Sequence, residues 1–310
     1  MRRRIAVVGG GVTAGLAAYM LSGHNEIHLF RPLKAVASPI PEIVPRRIFF
    51  DAMGCSESTE HELVQYASPA VTEAIWYVHG KDRLCRMEST DRYFVFDKGR
   101  LAKWLFNSAA VCHVQDTTVR RIADIKGYDV VLDCRGSKMV TEDPDSISAP
   151  LGTPCTRCVY VIAARPDEVS SHRMQFWTEP DRSLAGSLTF FMIPIGHTNL
   201  SLGYSSDPSV ELTHADVCRA TDQHGVAIDE DMILITGNVT PVRQSNRFSL
   251  SNVVPLGDAR CSPCPLTDYG ILAALSTVLE FRGRYTITAE RYSRMAITQP
   301  DPHIPEELFL

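Results

Sequence analysis

Ile5-Ala6-Val7-Val8-Gly9-Gly10-Gly11-Val12-Thr13-Ala14-Gly15 is an apolar run that meets a glycine turn and then takes up helical spacing. Four apolar residues in succession read as a strand covered on both faces, the kind found inside a parallel sheet. Leu16, Ala17, Met20 and Leu21 follow at the spacing of one helix face, and Ile27-His28-Leu29-Phe30 supplies the next strand. The chain therefore begins with a β-α-β unit. Between its first strand and helix, glycines let backbone N–H groups and the positive helix end approach a diphosphate. Gly9 serves the turn and Gly11 the close approach. The third fingerprint position, which accepts alanine, falls on Ala14, or on Gly15 with one residue inserted. The alternative is a glycine-rich turn that binds nothing. Its place directly after a strand favours the dinucleotide reading.

The second half of such a fingerprint is an acid about 20 residues on, which holds the ribose hydroxyls. At that distance from Gly11 stands Arg31, followed by Pro32, with no acid nearby. An arginine there can hold a 2′-phosphate, which points to NADP, or stack on adenine. The glycine turn alone leaves the dinucleotide open.

The chain has 310 residues, 45% hydrophobic and 22% charged, with a net charge of −5 and pI near 6.1. This balance excludes a disordered or collagenous chain, and no basic field points to nucleic acid or an anionic membrane. No apolar run reaches the roughly 20 residues needed to span a bilayer. Arg2-Arg3-Arg4 before Ile5 could open an export signal, but the apolar stretch is short and runs into glycines, so a buried strand is expected. Nine scattered cysteines give no disulfide framework, and a cytoplasmic protein with reduced thiols is expected.

Further along, residues 51–54 and 60–65 look helical, 92–96 a strand, 101–109 an amphipathic helix, and 128–133 a strand ending at Gly136. Between about 155 and 245 the pattern becomes β-rich, at 158–163, 187–193 and 199–204. Val253-Val254-Pro255-Leu256 returns to strand, followed by Gly257-Asp258-Ala259 and a helix from about Gly270.

With these motifs in order, the sequence resembles the FAD-dependent monooxygenases and the tryptophan-halogenase-like flavoproteins. In those families a C-terminal strand ending in Gly-Asp-Ala places its aspartate on the ribityl chain of FAD, and Gly257 and Asp258 match it. A proline and a glycine-rich helix start beside the flavin follow in the families; Pro265 and Gly270 match, with Asp268 at the usual first glycine. Phe96-Asp97-Lys98-Gly99-Arg100-Leu101 is similar to the families' segment before a helix, with Lys98 where an arginine is usual. The resemblance spans most of residues 1–285. It implies an α/β chain: a Rossmann-like FAD-binding fold of the glutathione-reductase type with an interleaved β-rich substrate lobe. The expected division is 1–150 and 246–290 for FAD, 151–245 for substrate, and a C-terminal extension at 291–310. The expected cofactor contacts are Gly9, Gly11, Ala14, Gly15, Arg31, Lys98, Gly257, Asp258, Pro265 and Gly270.

Residues 45–54, with Phe49-Phe50-Asp51 before an apolar residue and a glycine, are similar to a halogenase segment, and Glu42 to Pro45 loosely resembles the flavin-contacting loop that precedes it. In that register the halogenase's catalytic lysine falls at Thr72, which cannot capture or orient hypohalous acid; Lys81, in a turn-like Gly80-Lys81-Asp82, is the nearest lysine. Thr189-Phe190-Phe191-Met192-Ile193-Pro194 keeps only the Ile-Pro of the second halogenase signature, and the long C-terminal region of tryptophan halogenases has no counterpart. The expected reaction is therefore monooxygenation of a small organic or natural-product intermediate through a flavin C4a-hydroperoxide, with NAD(P)H or a partner flavin reductase supplying electrons. Halogenation of a non-tryptophan substrate, dithiol oxidation, and a redox-neutral role for bound FAD stand as alternatives.

Asp268 is the candidate base or proton relay, capping of the Gly270 helix being the structural alternative. Thr72 is the candidate on the substrate side. Cys261-Ser262-Pro263-Cys264 lies close after Asp258, where a C-x-x-C pair can act as a dithiol. With Cys155 and Cys158 it has the ligand count of a zinc site, but nothing in the spacing joins the pairs, and no metal is expected.

Overall fold

The computed structural model describes residues 2–33, 41–68, 70–78, 93–150, 156–180, 187–207, 209–226, 233–239, 242–244, 252–260 and 270–282. In chain order the elements are β1 (Arg4–Val8), α1 (Val12–Leu21), β2 (Glu26–Arg31), β3 (Pro41–Pro45), α2 (Arg46–Met53), α3 (Glu57–Val64), β4 (Glu73–Val78), β5 (Tyr93–Asp97), α4 (Lys98–Ser108), β6 (His113–Asp116), β7 (Val130–Asp133) and α5 (Ser137–Glu142). There follow β8 (Ser148–Pro150), β9 (Thr156–Ala164), β10 (Arg173–Pro180), β11 (Ser187–Ile195), β12 (Asn199–Ser206), α6 (His214–Gln223), β13 (Ile233–Val239), β14 (Val242–Gln244), β15 (Val253–Pro255) and α7 (Gly270–Arg282).

A five-stranded parallel sheet has the order β15-β7-β1-β2-β6. Its middle strand, β1, is flanked on both edges and covered on both faces, which is why Ile5 to Val8 are all apolar and at most 1% exposed. On one face lie α1, α4 and α7, around Leu16, Leu29, Leu101, Leu105 and Leu275. A fully buried leucine of this kind contributes about 2 kcal/mol relative to exposure. Gly15 decides how close α1 and α4 come, since a Cβ there would stand 2.9 Å from Leu105 Cβ.

A six-stranded sheet, order β13-β9-β12-β11-β10-β4, forms the second layer, antiparallel except for the parallel β10–β4 edge. Alternation along β9 sends Val159, Val161 and Ala163 toward α6, and Tyr160 and Ile162 to the other face. That inner face packs on the antiparallel β3–β5 pair through Tyr93 and Val95 of β5, with Val71 bridged to Tyr93 beside them. Both faces of β9 are thus buried, which accounts for its unbroken apolar sequence. The α/β architecture with a β-rich second layer is the one expected. One strand of that layer, β4, comes from residues 73–78, well before the β-rich stretch of the sequence.

Candidate cofactor cleft

The carboxyl ends of β1, β2, β7 and β15 converge on one cleft of about 230 Å³. Its walls are the glycine turn Gly9–Thr13, Thr117–Val119, Cys134–Gly136, Lys98, Asp258, and the start of α7 at Gly270 and Ile271. Ligands of open parallel sheets settle in this place, outside the carboxyl ends of the strands.

Each glycine has a distinct physical reason. Gly9 adopts φ +141°, and a Cβ on it would lie 2.4 Å from the Cys134 carbonyl oxygen, so the turn can hug β7 only without a side chain. Gly11 caps α1 in extended conformation with no side-chain cap, and nothing lies within 4 Å of where its Cβ would be. The first N–H groups of α1 are therefore left for an external anion. Gly257, at φ +57°, sits against Thr13, whose Oγ1 would be 2.4 Å from a Cβ. Its N–H donates to Thr277 Oγ1 on α7 at 3.0 Å, so the Gly-Asp-Ala turn is fixed between α1 and α7. This clamp brings Asp258 to the cleft wall.

Around Asp258 the electrostatics are unequal. Burial pushes its carboxyl above the usual aspartate value, and the Lys98 ammonium partly opposes that. Lys98 in turn bonds Glu42 Oε1 at 2.6 Å, and the Glu42 side chain is 0% exposed. Beneath the cleft, Arg135 joins Asp133 and Asp143 through one guanidinium nitrogen at 2.8 and 2.7 Å, with all three side chains at most 3% exposed. Its Nη1 also donates to the Val119 and Arg120 carbonyls, which fastens the Thr117–Val119 wall.

No family model matches the chain, and no curated protein matches its sequence. Solved structures do match. A mutant of 2-methyl-3-hydroxypyridine-5-carboxylic acid oxygenase aligns with a TM-score of 0.70 at 13% identity, covering 91% of this chain and 82% of that one. A flavin-dependent halogenase from Xanthomonas campestris gives 0.67 at 14%, covering 96% and 74%. CtdE in complex with FAD gives 0.63 at 12%, covering 89% and 82%. The chain has a flavoenzyme fold.

The residues of the cleft fit the dinucleotide that this fold accommodates. Gly11 and Gly136 leave open space where side chains would stand, the α1 terminus lacks an internal cap, and Asp258 offers a carboxylate at the wall. Of the residues expected from sequence, Gly9, Gly11, Lys98, Asp258 and Gly270 line the cleft together. Gly257 lies behind Asp258 on Thr13, while Gly15 serves the α1–α4 contact and Ala14 is buried in the first turn of α1. Arg31 is not among the lining residues. Its guanidinium lies 4.4 Å over the Phe106 ring of α4, and its buried Nε has no hydrogen-bond partner. Thr72 is exposed just before β4, its N–H donating to the His172 carbonyl, and is also absent from the lining. Asp268, Pro265, Lys81, Cys155, Cys261, Cys264 and the 291–310 extension lie outside the described residues. Among the described residues no group of three or more metal-ligating side chains occurs, and no helix is long and apolar enough to cross a membrane. Two contributors are marked in the sequence only as members of longer segments. Glu42 opens the run Glu42–Pro45, similar to the families' flavin-contacting loop, and Arg135 lies in Tyr128–Gly136, similar to their middle strand ending in glycine; neither stands out there as a site residue.

Proposed function

We propose that this chain binds FAD and oxidises a small organic molecule as a monooxygenase, its electrons coming from a partner flavin reductase or from NAD(P)H. The observation that carries the reading is the cleft, where an uncapped helix end, open glycine positions and Asp258 share one space at the strand termini. Reduced FAD, when bound, supplies oxygen-activating chemistry that side chains lack. The N–H groups of Gly11 to Thr13 would hold its diphosphate, and Asp258 would accept from its ribityl hydroxyls. Lys98 adds positive charge at the same wall. The six-stranded layer, whose inner face packs on β3–β5, would carry the substrate and exclude water from it. Asp268 is the residue proposed to move a proton, and Thr72, exposed outside the cleft, is assigned no step.

The test is an absorbance titration with FAD, then chemical reduction, exposure to air, and product analysis with and without halide. Perturbed flavin bands and an oxygenated product support the proposal; absence of FAD binding overturns it. A halogenated product would instead favour the second reading, to which the fold likeness to a halogenase lends support.

Asp258→Asn separates binding from stability. Folding raises the Asp258 pKa, so the ionised carboxylate costs stability above its folded-state value, and that cost fades as pH falls toward the unfolded value of about 4. Without FAD, the variant is expected to melt above the wild type at pH 7, with the gain vanishing near pH 4. Its FAD affinity is expected to drop about tenfold, the worth of a hydrogen bond to a charged group. A lower Tm at pH 7, or unchanged affinity, would contradict the assignment.

A further inference from the structure

We infer that Glu42 is a positioning residue that holds the Lys98 ammonium toward the diphosphate of the bound dinucleotide. The inference rests on the FAD reading and gives a specific role to the first residue of the loop-like segment Glu42–Pro45. The β3–β5 register sets Glu42 opposite Phe96, and Asp97, the next residue, caps α4 by accepting from the Gly99 and Arg100 N–H groups at 2.8 and 3.1 Å. Lys98 is the first residue of that helix, so its backbone direction is set by the cap. Its side chain must then choose between open solvent and the cleft. Glu42 decides the choice, because its fully buried carboxylate meets Nζ at 2.6 Å.

Burying a carboxylate is costly unless a charge and good geometry compensate, so this pair is not interchangeable with a surface contact. The chemistry of lysine supplies the second argument. An ammonium on a four-carbon stem is a point charge with large rotamer freedom, whereas an arginine fork is organised in advance for phosphate. A lysine lining an anion site therefore needs an anchor outside the site, and Glu42 stands behind Lys98 in that position. Lys98 lines the same cleft as the Gly9–Thr13 turn, so its charge and the N–H groups proposed to bind the diphosphate face one space.

The experiment measures FAD and riboflavin dissociation constants for the wild type, Glu42→Gln and Lys98→Met. Riboflavin lacks phosphate, so it reports the fold of the cleft without the contact in question. Glu42→Gln is expected to weaken FAD about tenfold while riboflavin changes by less than about twofold, and Lys98→Met should show the same selectivity. If Glu42→Gln melts below the assay temperature, Glu42→Asp, which keeps the charge but shortens the reach, should show a smaller loss in the same direction. Wild-type affinity for FAD in the Glu42 variants, or equal losses for both flavins, would overturn the inference while leaving the FAD reading intact. A wild type that binds neither flavin would overturn both.

Discussion

Gly9→Ala is expected to lower the folding free energy by about 3–5 kcal/mol, a large share of the roughly 5–15 kcal/mol typical of a domain. Two independent costs add. At φ +141° an L-residue is strained by about 1–3 kcal/mol. Its Cβ would also lie 2.4 Å from the Cys134 carbonyl oxygen and 2.7 Å from the carbonyl carbon. Those are backbone atoms at the end of β7, which cannot rotate away as a side-chain tip could. Relief requires the turn to lift from β7, and that would loosen the Gly9 N–H bond to the Phe30 carbonyl, 3.0 Å in the wild type. The turn would then no longer present the α1 terminus to the cleft, so FAD binding should fall with stability. Gly54→Ala is the control. Gly54 also has positive φ, +66°, but nothing lies within 4 Å of its Cβ position, so only the left-handed penalty of about 1–2 kcal/mol remains. Urea unfolding of both variants decides the matter: a loss at Gly9 no greater than at Gly54 would mean that the contact with β7 is not what fixes this turn.

The contrast between these glycines also shows why some of the site can be read from sequence. A glycine between a buried strand and a helix is a local signal, since the backbone geometry it permits is needed by its own neighbours. Gly9, Gly11, Gly257 and Asp258 are legible for that reason, and β1, β2, β7 and β15 show as apolar strands, whereas the sheet's edge strand β6 is polar and exposed and carries no such signal. Pairings between distant segments carry no such mark. Nothing in Glu73–Val78 reveals that it pairs in parallel with residues 173–178. Pro41–Pro45 reads as a loop because prolines bound it, yet prolines are compatible with strand ends, and Glu42, on the strand it pairs with β5, is completely buried. Helix α6 is mostly polar and buries Val217, Ala220 and the hydroxyl-bearing Thr221. Its one sequence signal is the reciprocal cap between Thr213 and Asp216. Arg31 shows how a distant element enters: the fingerprint position leaves it open to a 2′-phosphate, to adenine or to neither, and α4, which the fingerprint does not include, supplies Phe106 beneath its guanidinium.

Arg135→Met should destabilise the fold by about 3–5 kcal/mol at pH 7, the usual result of removing one partner from a buried ionic group. The loss follows from what remains. Asp133 and Asp143 now share one guanidinium nitrogen, and their side chains are 1% and 0% exposed. Without the cation, two buried carboxylates face each other with no positive charge between them. Repulsion between the two carboxylates and their burial away from water then act together against the folded state. Replacing both aspartates by asparagine alongside Arg135→Met removes the repulsion and should recover more than half of the loss, since neutral groups of the same shape restore balance. Urea unfolding of the single and triple variants at pH 7 provides the test. FAD affinity should fall in the single variant as well, because the Arg135 bonds to the Val119 and Arg120 carbonyls hold one wall of the cleft. A pH 7 deficit below about 1 kcal/mol, or no recovery in the triple variant, would show that Arg135 does not neutralise this pair.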